Sequence, residues 1–155
     1  MTPSLLNITP ELSASVTART SEVEALLAAI THDFGPATFA NSLGAEDMVL
    51  TDLILKARLP IDIFSLDTGR LPPETYELMG AVEKHYGHKL MIFFPRADDV
   101  ETYVRNQGIN AFRDSVTLRK ACCAIRKVEP LQRALAGKRA WITGLRAQQA
   151  ATRDG

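Results

Sequence analysis

The sequence predicts an α/β fold in which a parallel twisted sheet is flanked by helices. Four short apolar runs typical of buried strands alternate with segments whose apolar residues recur at helical spacing. Such alternation favours βαβ units and a parallel sheet covered by helices. The length of 155 residues, 46% of them hydrophobic, suits one globular domain with a sizeable core.

Each expected element has a local reason. The apolar runs predict strands at 37–40, 61–66, 89–94 and 139–143. Helical spacing predicts helices at 22–30, 46–58, 72–86 and 98–105, and a further helix that starts near Leu118. Pro72 and Pro73 suit a first helical turn, and Gly87 suits the position after a last turn. The last helix must break or restart at Pro130, which cannot donate a backbone hydrogen bond.

The two ends of the chain differ in pattern. Residues 1–20 are rich in Ser, Thr and Pro and only weakly periodic, so we expect a loose N-terminal arm. Residues 21–155 form the expected α/β domain. The N-terminus has no basic region before its apolar residues, and no run of 18 apolar residues occurs. We therefore expect a cytoplasmic protein without a membrane partner.

The charge balance argues against a general nucleic-acid binder. Eighteen basic residues match eighteen acidic ones, whereas nucleic-acid binders usually have a basic excess. Basic pairs at 119–120 and 126–127 nevertheless flank the only two cysteines. They indicate a positive potential focused on a small anion.

The first candidate motif runs from residue 42 to residue 47 and joins a strand to a helix. Ser42 can cap the helix, Gly44 allows a close backbone approach, and Asp47 lies in the first turn. Free backbone N–H groups at such a turn can bind phosphate or sulfate. The alternative is an ordinary capped helix, which is the more common meaning of this pattern alone.

The second motif, Leu66-Asp67-Thr68-Gly69-Arg70, follows the next strand. Its backbone groups could bind an adenine or ribose edge, and Arg70 could meet an anion. A polar strand-to-helix loop is the alternative.

The third motif places Cys122 and Cys123 before Arg126 and Lys127. Adjacent cysteines rarely pair with each other because a vicinal disulfide is strained, but they can ligate different irons of one cluster. The basic pair would lower a thiol pKa and could hold a sulfonate or phosphate. The alternative is two small buried residues on an apolar face.

The fourth motif, Thr143-Gly144-Leu145-Arg146, ends the last strand and precedes Gln149, Thr152 and Arg153. Arg146 and Arg153 could clamp a charged ligand, or form a solvated basic edge. His32, His85 and His88 lack metal-ligand spacing, and we expect them on the surface or at helix ends.

The order of these motifs resembles the assimilatory adenylyl-sulfate (APS) reductases of the PAPS reductase family. The matching stretches are S-L-G-A-E-D-M-V, S-L-D-T-G-R-L-P-P-E-T-Y, C-C-A-I-R-K-V-E-P-L and W-I-T-G-L-R, and the resemblance extends over residues 39–153. It implies an adenine nucleotide alpha-hydrolase-like fold with a modified P-loop at 42–47.

The resemblance also implies a set of site residues. The substrate-binding residues would be Ser42, Gly44, Asp47, Leu66, Asp67, Gly69, Arg70, Arg126, Lys127, Thr143, Gly144 and Arg146. Cys122 and Cys123 would supply half of the ligands of a 4Fe–4S cluster. The substrate would be adenosine 5′-phosphosulfate, with AMP as product and thioredoxin as reductant. The chain is also compatible with a homo-oligomer.

In the family a cysteine near the C-terminus attacks the substrate sulfur, AMP leaves, and thioredoxin releases sulfite from the enzyme. That cysteine and the second cysteine pair would lie beyond residue 155, so we expect a fragment without a catalytic residue of its own. Ala147 and Ala150 also stand where many members have arginine and serine, which weakens the expected phosphate grip.

Three other functions remain open at this point. The first is a PAPS reductase, although Cys-Cys and D-T-G-R usually accompany the unphosphorylated substrate. The second is an ATP pyrophosphatase or sulfate adenylyltransferase subunit, but those usually carry S-G-G-x-D-S in the first loop. The third is a nucleotide-binding remnant that is not an enzyme.

Overall fold

The structure is a computed structural model that describes residues 8–145. In chain order the elements are α1 (Pro10–Phe34), β1 (Ala37–Ala40), α2 (Ala45–Lys56), β2 (Ile61–Leu66), α3 (Pro73–Tyr86), β3 (Met91–Phe93), α4 (Ala97–Gln107), a 3-10 turn (Ala111–Arg113), α5 (Val116–Cys123), a π-helical segment (Ala124–Val128), α6 (Glu129–Leu135) and β4 (Ala140–Thr143).

The four strands form one parallel sheet in the order β3-β2-β1-β4, which confirms the predicted fold class. Ala37 of β1 is in register with Ile61 of β2 on one side and with Ala140 of β4 on the other. β1 is therefore an inner strand; β4 ends level with it, and β2 extends two residues further.

The core lies between this sheet and its helices. Phe39, Ile54 and Ile63 are almost completely buried there. Burying side chains of this size stabilises the fold by roughly 1.5–3 kcal/mol each. A second, smaller core contains Tyr103, Ala111 and Cys122 and joins α4 to α5.

The N-terminal segment differs from the expected loose arm from residue 10 onward, because α1 already begins at Pro10. The Thr9 side chain accepts a hydrogen bond from the Leu12 N–H at 3.2 Å. Both this cap and the proline suit a first helical turn. The first ten residues of the helix are exposed, so no buried apolar face marks them in the sequence. The sequence therefore indicates the helix only where its packed face begins, near Val23.

The break or restart expected at Pro130 takes the form of a change of helix type, because the backbone stays helical up to and through this proline. α5 begins at Val116, with Ser115 as its N-cap, and passes through the π-helical segment into α6. Pro130 occupies the first turn of α6, where the missing N–H costs little. Within residues 8–145, no helix combines the length and apolar character needed to cross a bilayer.

Candidate functional site

The loops after β1, β2 and β4 meet at the carboxyl edge of the sheet, where parallel α/β sheets bind ligands. Three cavities of about 270, 360 and 460 Å³ lie there. We call them the apolar cavity, the strand-end cavity and the basic cavity. Ser42 lines the first two, whereas Thr68 and Lys127 line both the apolar and the basic cavity.

The apolar cavity is bounded by the ends of β1 and β2 and by α3. Leu43, Phe64, Leu66 and Met79 supply much of its wall, and Lys127 brings a charge to it. A cavity of this kind suits a flat, largely apolar group such as a purine ring. Of the expected site residues, Ser42, Leu66 and Lys127 lie here.

The sequence suggested that Ser42, in the first loop, caps α2, but the structure shows a different arrangement. Gly44 is the N-cap of α2 and makes no side-chain hydrogen bond. Asp47 instead reaches back from the first turn, and its Oδ2 accepts the Ser42 N–H at 2.6 Å and the Ser42 hydroxyl at 2.5 Å. A carboxylate is favourable at a helix N-terminus. The donors of Ser42 are therefore directed to Asp47, which is only 7% exposed.

Asn41 holds the same loop from inside the protein. Its Oδ1 accepts the Leu43 N–H at 2.7 Å, and its Nδ2 donates to the Thr51 hydroxyl at 2.9 Å. Leu43 has a φ of 65°. A positive φ is uncommon for a residue with a branched side chain. Sequence reasoning missed Asn41. The pattern that could have revealed it is an asparagine directly after a strand, because an asparagine side chain there often accepts a hydrogen bond from the backbone two residues later.

Asp67 gives the second loop its shape. This carboxylate is 4% exposed, and its Oδ1 accepts the Gly69 N–H at 2.7 Å and the Tyr76 hydroxyl at 3.0 Å. The hydrogen bond to Asp67 raises the pKa of Tyr76 above its ordinary value. Gly69 has a φ of 72°. That conformation favours glycine. Tyr76 was missed as a functional residue although it lies in the quoted motif.

The basic cavity brings together residues that are far apart in sequence. Arg70 lines it with the cysteine pair, and so do Arg126 and Lys127. Arg126 is 8% exposed and donates from Nη1 to the Thr68 carbonyl at 2.6 Å. The middle of the second loop is thus attached to the π-helical segment that directly follows the cysteines. Arg70 faces this cavity rather than the apolar one.

Cys122 and Cys123 are free thiols at the end of α5, the first buried and the second half-buried. Burial raises the pKa of Tyr103, and the nearby Cys122 adds to this effect. In the part of the chain that the structure describes, no group of three or more His, Cys, Asp or Glu residues is arranged to hold a metal ion. Two thiols cannot by themselves supply the four thiolates of a 4Fe–4S cluster, so the described residues do not complete such a site.

The strand-end cavity contains the fourth motif as far as the structure describes it. Thr143 and Gly144 line it together with Asp47 and Trp141. The Gly144 backbone lies so close to the Asp47 side chain that a Cβ at 144 would overlap it. Several expected positions lie outside the described residues: Arg146, Ala147, Gln149, Ala150, Thr152 and Arg153.

The histidines lie where the sequence placed them. His32 and His85 lie in the last turns of α1 and α3, and His88 is exposed just beyond α3. None of the three lines the cavities at the sheet edge.

A parallel sheet with ligand-sized cavities at its carboxyl edge defines an open α/β ligand-binding domain. A family profile for the phosphoadenosine phosphosulfate reductase domain matches residues 36–155. The chain therefore belongs to that family and has its adenine nucleotide alpha-hydrolase-like fold, which confirms the resemblance seen in the motifs.

Similar proteins include two bacterial ones named adenosine 5′-phosphosulfate reductase. The one from Allochromatium vinosum is 55% identical over 83% of this chain and 50% of its own length. The one from Burkholderia cepacia is 51% identical over 94% of this chain and 57% of its own length. A 5′-adenylylsulfate reductase 3, chloroplastic, from Arabidopsis thaliana is 51% identical over 68% of this chain and 23% of its own length. The chain thus spans about half the length of the bacterial relatives.

Proposed function

We propose that this chain carries the nucleotide-binding part of an adenylyl-sulfate reductase. The reaction is the thioredoxin-dependent reduction of adenosine 5′-phosphosulfate to sulfite and AMP, in sulfate assimilation and cysteine biosynthesis. One observation carries the proposal. The apolar cavity and the basic cavity share Thr68 and Lys127, so the two ends of one nucleotide have adjoining places.

The charges and surfaces of the two cavities support this arrangement. The base would lie against Phe64, Leu66 and Met79, which are apolar, and the anionic end would point toward Arg126 and Lys127. AMP leaves readily once its phosphate charge is offset, and positioned Lys and Arg side chains provide that stabilisation. The covalent step needs a thiolate that reaches the substrate sulfur, and we assign that role to a cysteine other than Cys122 and Cys123.

We assign Cys122 and Cys123 as two of the ligands of a 4Fe–4S cluster. They are adjacent, line one cavity and have cations as neighbours. Thiolates are the usual ligands of such clusters. A bound cluster would tune the charge of the site, and it would need two ligands besides this pair.

The alternative substrate is the 3′-phosphorylated nucleotide, for which the matched family is named. The names of the similar proteins favour the unphosphorylated one. A pyrophosphatase or adenylyltransferase role is less well supported because Leu43, Ala45 and Glu46 depart from S-G-G-x-D-S. A purely binding role would show as nucleotide affinity without turnover in the full-length protein. We place the activity in the cytoplasm, with thioredoxin as partner.

Calorimetry with AMP tests the nucleotide site. The double variant Ser42→Ala, Arg70→Ala should bind AMP more weakly, because it changes the β1 loop and the basic cavity together. The control is Arg19→Ala, Ser21→Ala, which makes the same replacements on exposed positions of α1 that line none of the three cavities. Equal AMP affinity in both double variants would contradict the proposed site.

A further inference from the structure

In the described part of the chain, the basic cavity holds five cations that form no salt bridge with a carboxylate. They are Arg70, Arg113, Arg119, Arg126 and Lys127. Among the other described cations, five pair with an acid (Lys56, Lys89, Arg96, Arg133 and Lys138), whereas Arg19, Arg58, Lys84, Arg105, Lys120 and Arg139 do not. The cavity thus brings five cations without an acidic partner to one place, in a chain whose formal net charge is zero.

The arginines of this cavity are held by neutral groups instead. Arg70 donates to the Ile109 carbonyl at 2.9 Å and to Asn110 Oδ1 at 2.8 Å. Arg119 donates from Nε to the Phe112 carbonyl at 3.3 Å. Carbonyl and amide acceptors fix a guanidinium without cancelling its charge, so the cavity keeps its positive potential.

Phe112 touches three of these arginines. Its ring centroid lies 4.6 Å from the Arg70 guanidinium carbon and 5.5 Å from that of Arg113. Both distances are within cation–π range. Its carbonyl accepts from Arg119. The residue is half-buried and packs against the second core of Tyr103, Ala111 and Cys122, so the core determines where the ring lies.

We infer that Phe112 is a positioning residue of an oxyanion-binding subsite formed by Arg70, Arg113 and Arg119. Two guanidinium groups at one ring repel each other, and a dianion between them removes that repulsion. The ring attracts these guanidinium groups and has no net charge. A carboxylate would also attract them, but it would cancel the positive charge of the site. This inference rests on the proposed function in one respect, which is that the natural oxyanion is the phosphosulfate end of the nucleotide. Inorganic sulfate has the same chemistry and serves as the probe.

The test is calorimetry of sulfate binding to the 155-residue chain at low ionic strength. Phe112→Leu, which keeps the apolar bulk but removes the ring, should weaken sulfate binding about fivefold. Phe112→Tyr, which keeps the ring, should restore affinity to near that of the unchanged chain. Phe94→Leu makes the same replacement at an exposed phenylalanine outside the cavity and should have no effect.

Other outcomes would overturn the inference. These are no sulfate binding by the unchanged chain, equal affinity in Phe112→Leu, or equal losses in the Leu and Tyr variants. If Phe112→Leu fails to fold, Arg113→Gln at the exposed edge of the cavity takes its place. It should also weaken sulfate binding, and unchanged affinity would count against the subsite. AMP binding, measured in parallel, separates the two proposals: sulfate binding without AMP binding refutes the nucleotide site and leaves the oxyanion subsite standing.

Discussion

Gly144 lies directly against the carboxylate of Asp47 and leaves no room for a methyl group. The same carboxylate accepts both hydrogen bonds from Ser42. One buried acid therefore joins the loop after β1 to the end of β4. This relationship makes Asp47 a support for the site as much as a candidate contact with ligand.

Replacing Gly144 with alanine should destabilise the fold, because the added methyl must displace the Asp47 side chain. We expect a loss of about 1–3 kcal/mol in the free energy of unfolding, measured in urea. Gly80→Ala is the matched control, since Gly80 lies within α3 and a methyl there meets nothing within 4 Å. Alanine at this helical position should stabilise the fold by about 0.5–1 kcal/mol. Full stability of Gly144→Ala would mean that the contact with Asp47 is not tight.

Gly69→Ala tests the second loop. Gly69 and Gly87 both have positive φ. Alanine therefore costs about 1–2 kcal/mol at either position. A methyl at 69 also meets Arg126 Nη1 at 3.1 Å, whereas a methyl at 87 meets nothing within 4 Å. We expect weaker AMP binding in Gly69→Ala and normal binding in Gly87→Ala. Equal AMP affinities in the two variants would show that Arg126 is not disturbed through the loop.

Glu129 should contribute to stability in a pH-dependent way. Hydrogen bonds from Arg133 and Arg96 lower its pKa from the ordinary value of 4.5. A lowered pKa means that the contribution is complete above the ordinary value and is lost as the pH falls through the folded-state value. Urea midpoints measured from neutral to acid pH should therefore fall less steeply on the acid side in Glu129→Gln. If the urea midpoint of Glu129→Gln fell with acid pH as steeply as that of the unchanged chain, this role would be refuted.

The substrate choice can be measured on a longer protein that contains this chain. Sulfite release with thioredoxin should be faster for adenosine 5′-phosphosulfate than for its 3′-phosphorylated form. The motivation is the cysteine pair together with the 67–70 loop. A tenfold preference for the phosphorylated form, about 1.4 kcal/mol in transition-state terms, would refute the prediction.

The 155-residue chain by itself should release no sulfite with thioredoxin. Its only thiols are Cys122 and Cys123. Covalent attack needs a thiolate directed at the sulfur, and we assign both thiols to a cluster instead. The assay uses mass-verified protein after anaerobic reconstitution with iron and sulfide. Turnover that disappears in Cys122→Ser or Cys123→Ser would identify a nucleophile where we have assigned a ligand.

Much of the sheet was predictable because its strands are short apolar runs with clear ends. The bounds of β1 and β2 agree with the prediction. β3 is shorter than expected, since only Met91, Ile92 and Phe93 find partners on β2. Strand length there is set by pairing, which a local pattern does not contain.

The expected site residues stay predictions, and some contacts among them differ from those that the sequence suggested. Ser42 was expected to cap α2, but its hydroxyl and N–H bond to Asp47 instead. Phe112 was not singled out, because its proposed role depends on a contact with Arg70, which lies far away in the sequence. Such partners are brought together by topology, and no spacing within one motif reveals them.

The pairing of β1 with β4 also sets an order of events during synthesis. Ala37 and Ala140 are neighbours in the sheet although two-thirds of the chain lies between them. At the usual rate of elongation, roughly 5 to 20 s pass between the appearance of the two strands. During that interval β1 has one unpaired edge, and contacts of such long range close late because the intervening chain must first be ordered. The strand-end cavity around Asp47 is therefore assembled among the last parts of the domain, and it cannot take a ligand on the nascent chain before β4 has emerged.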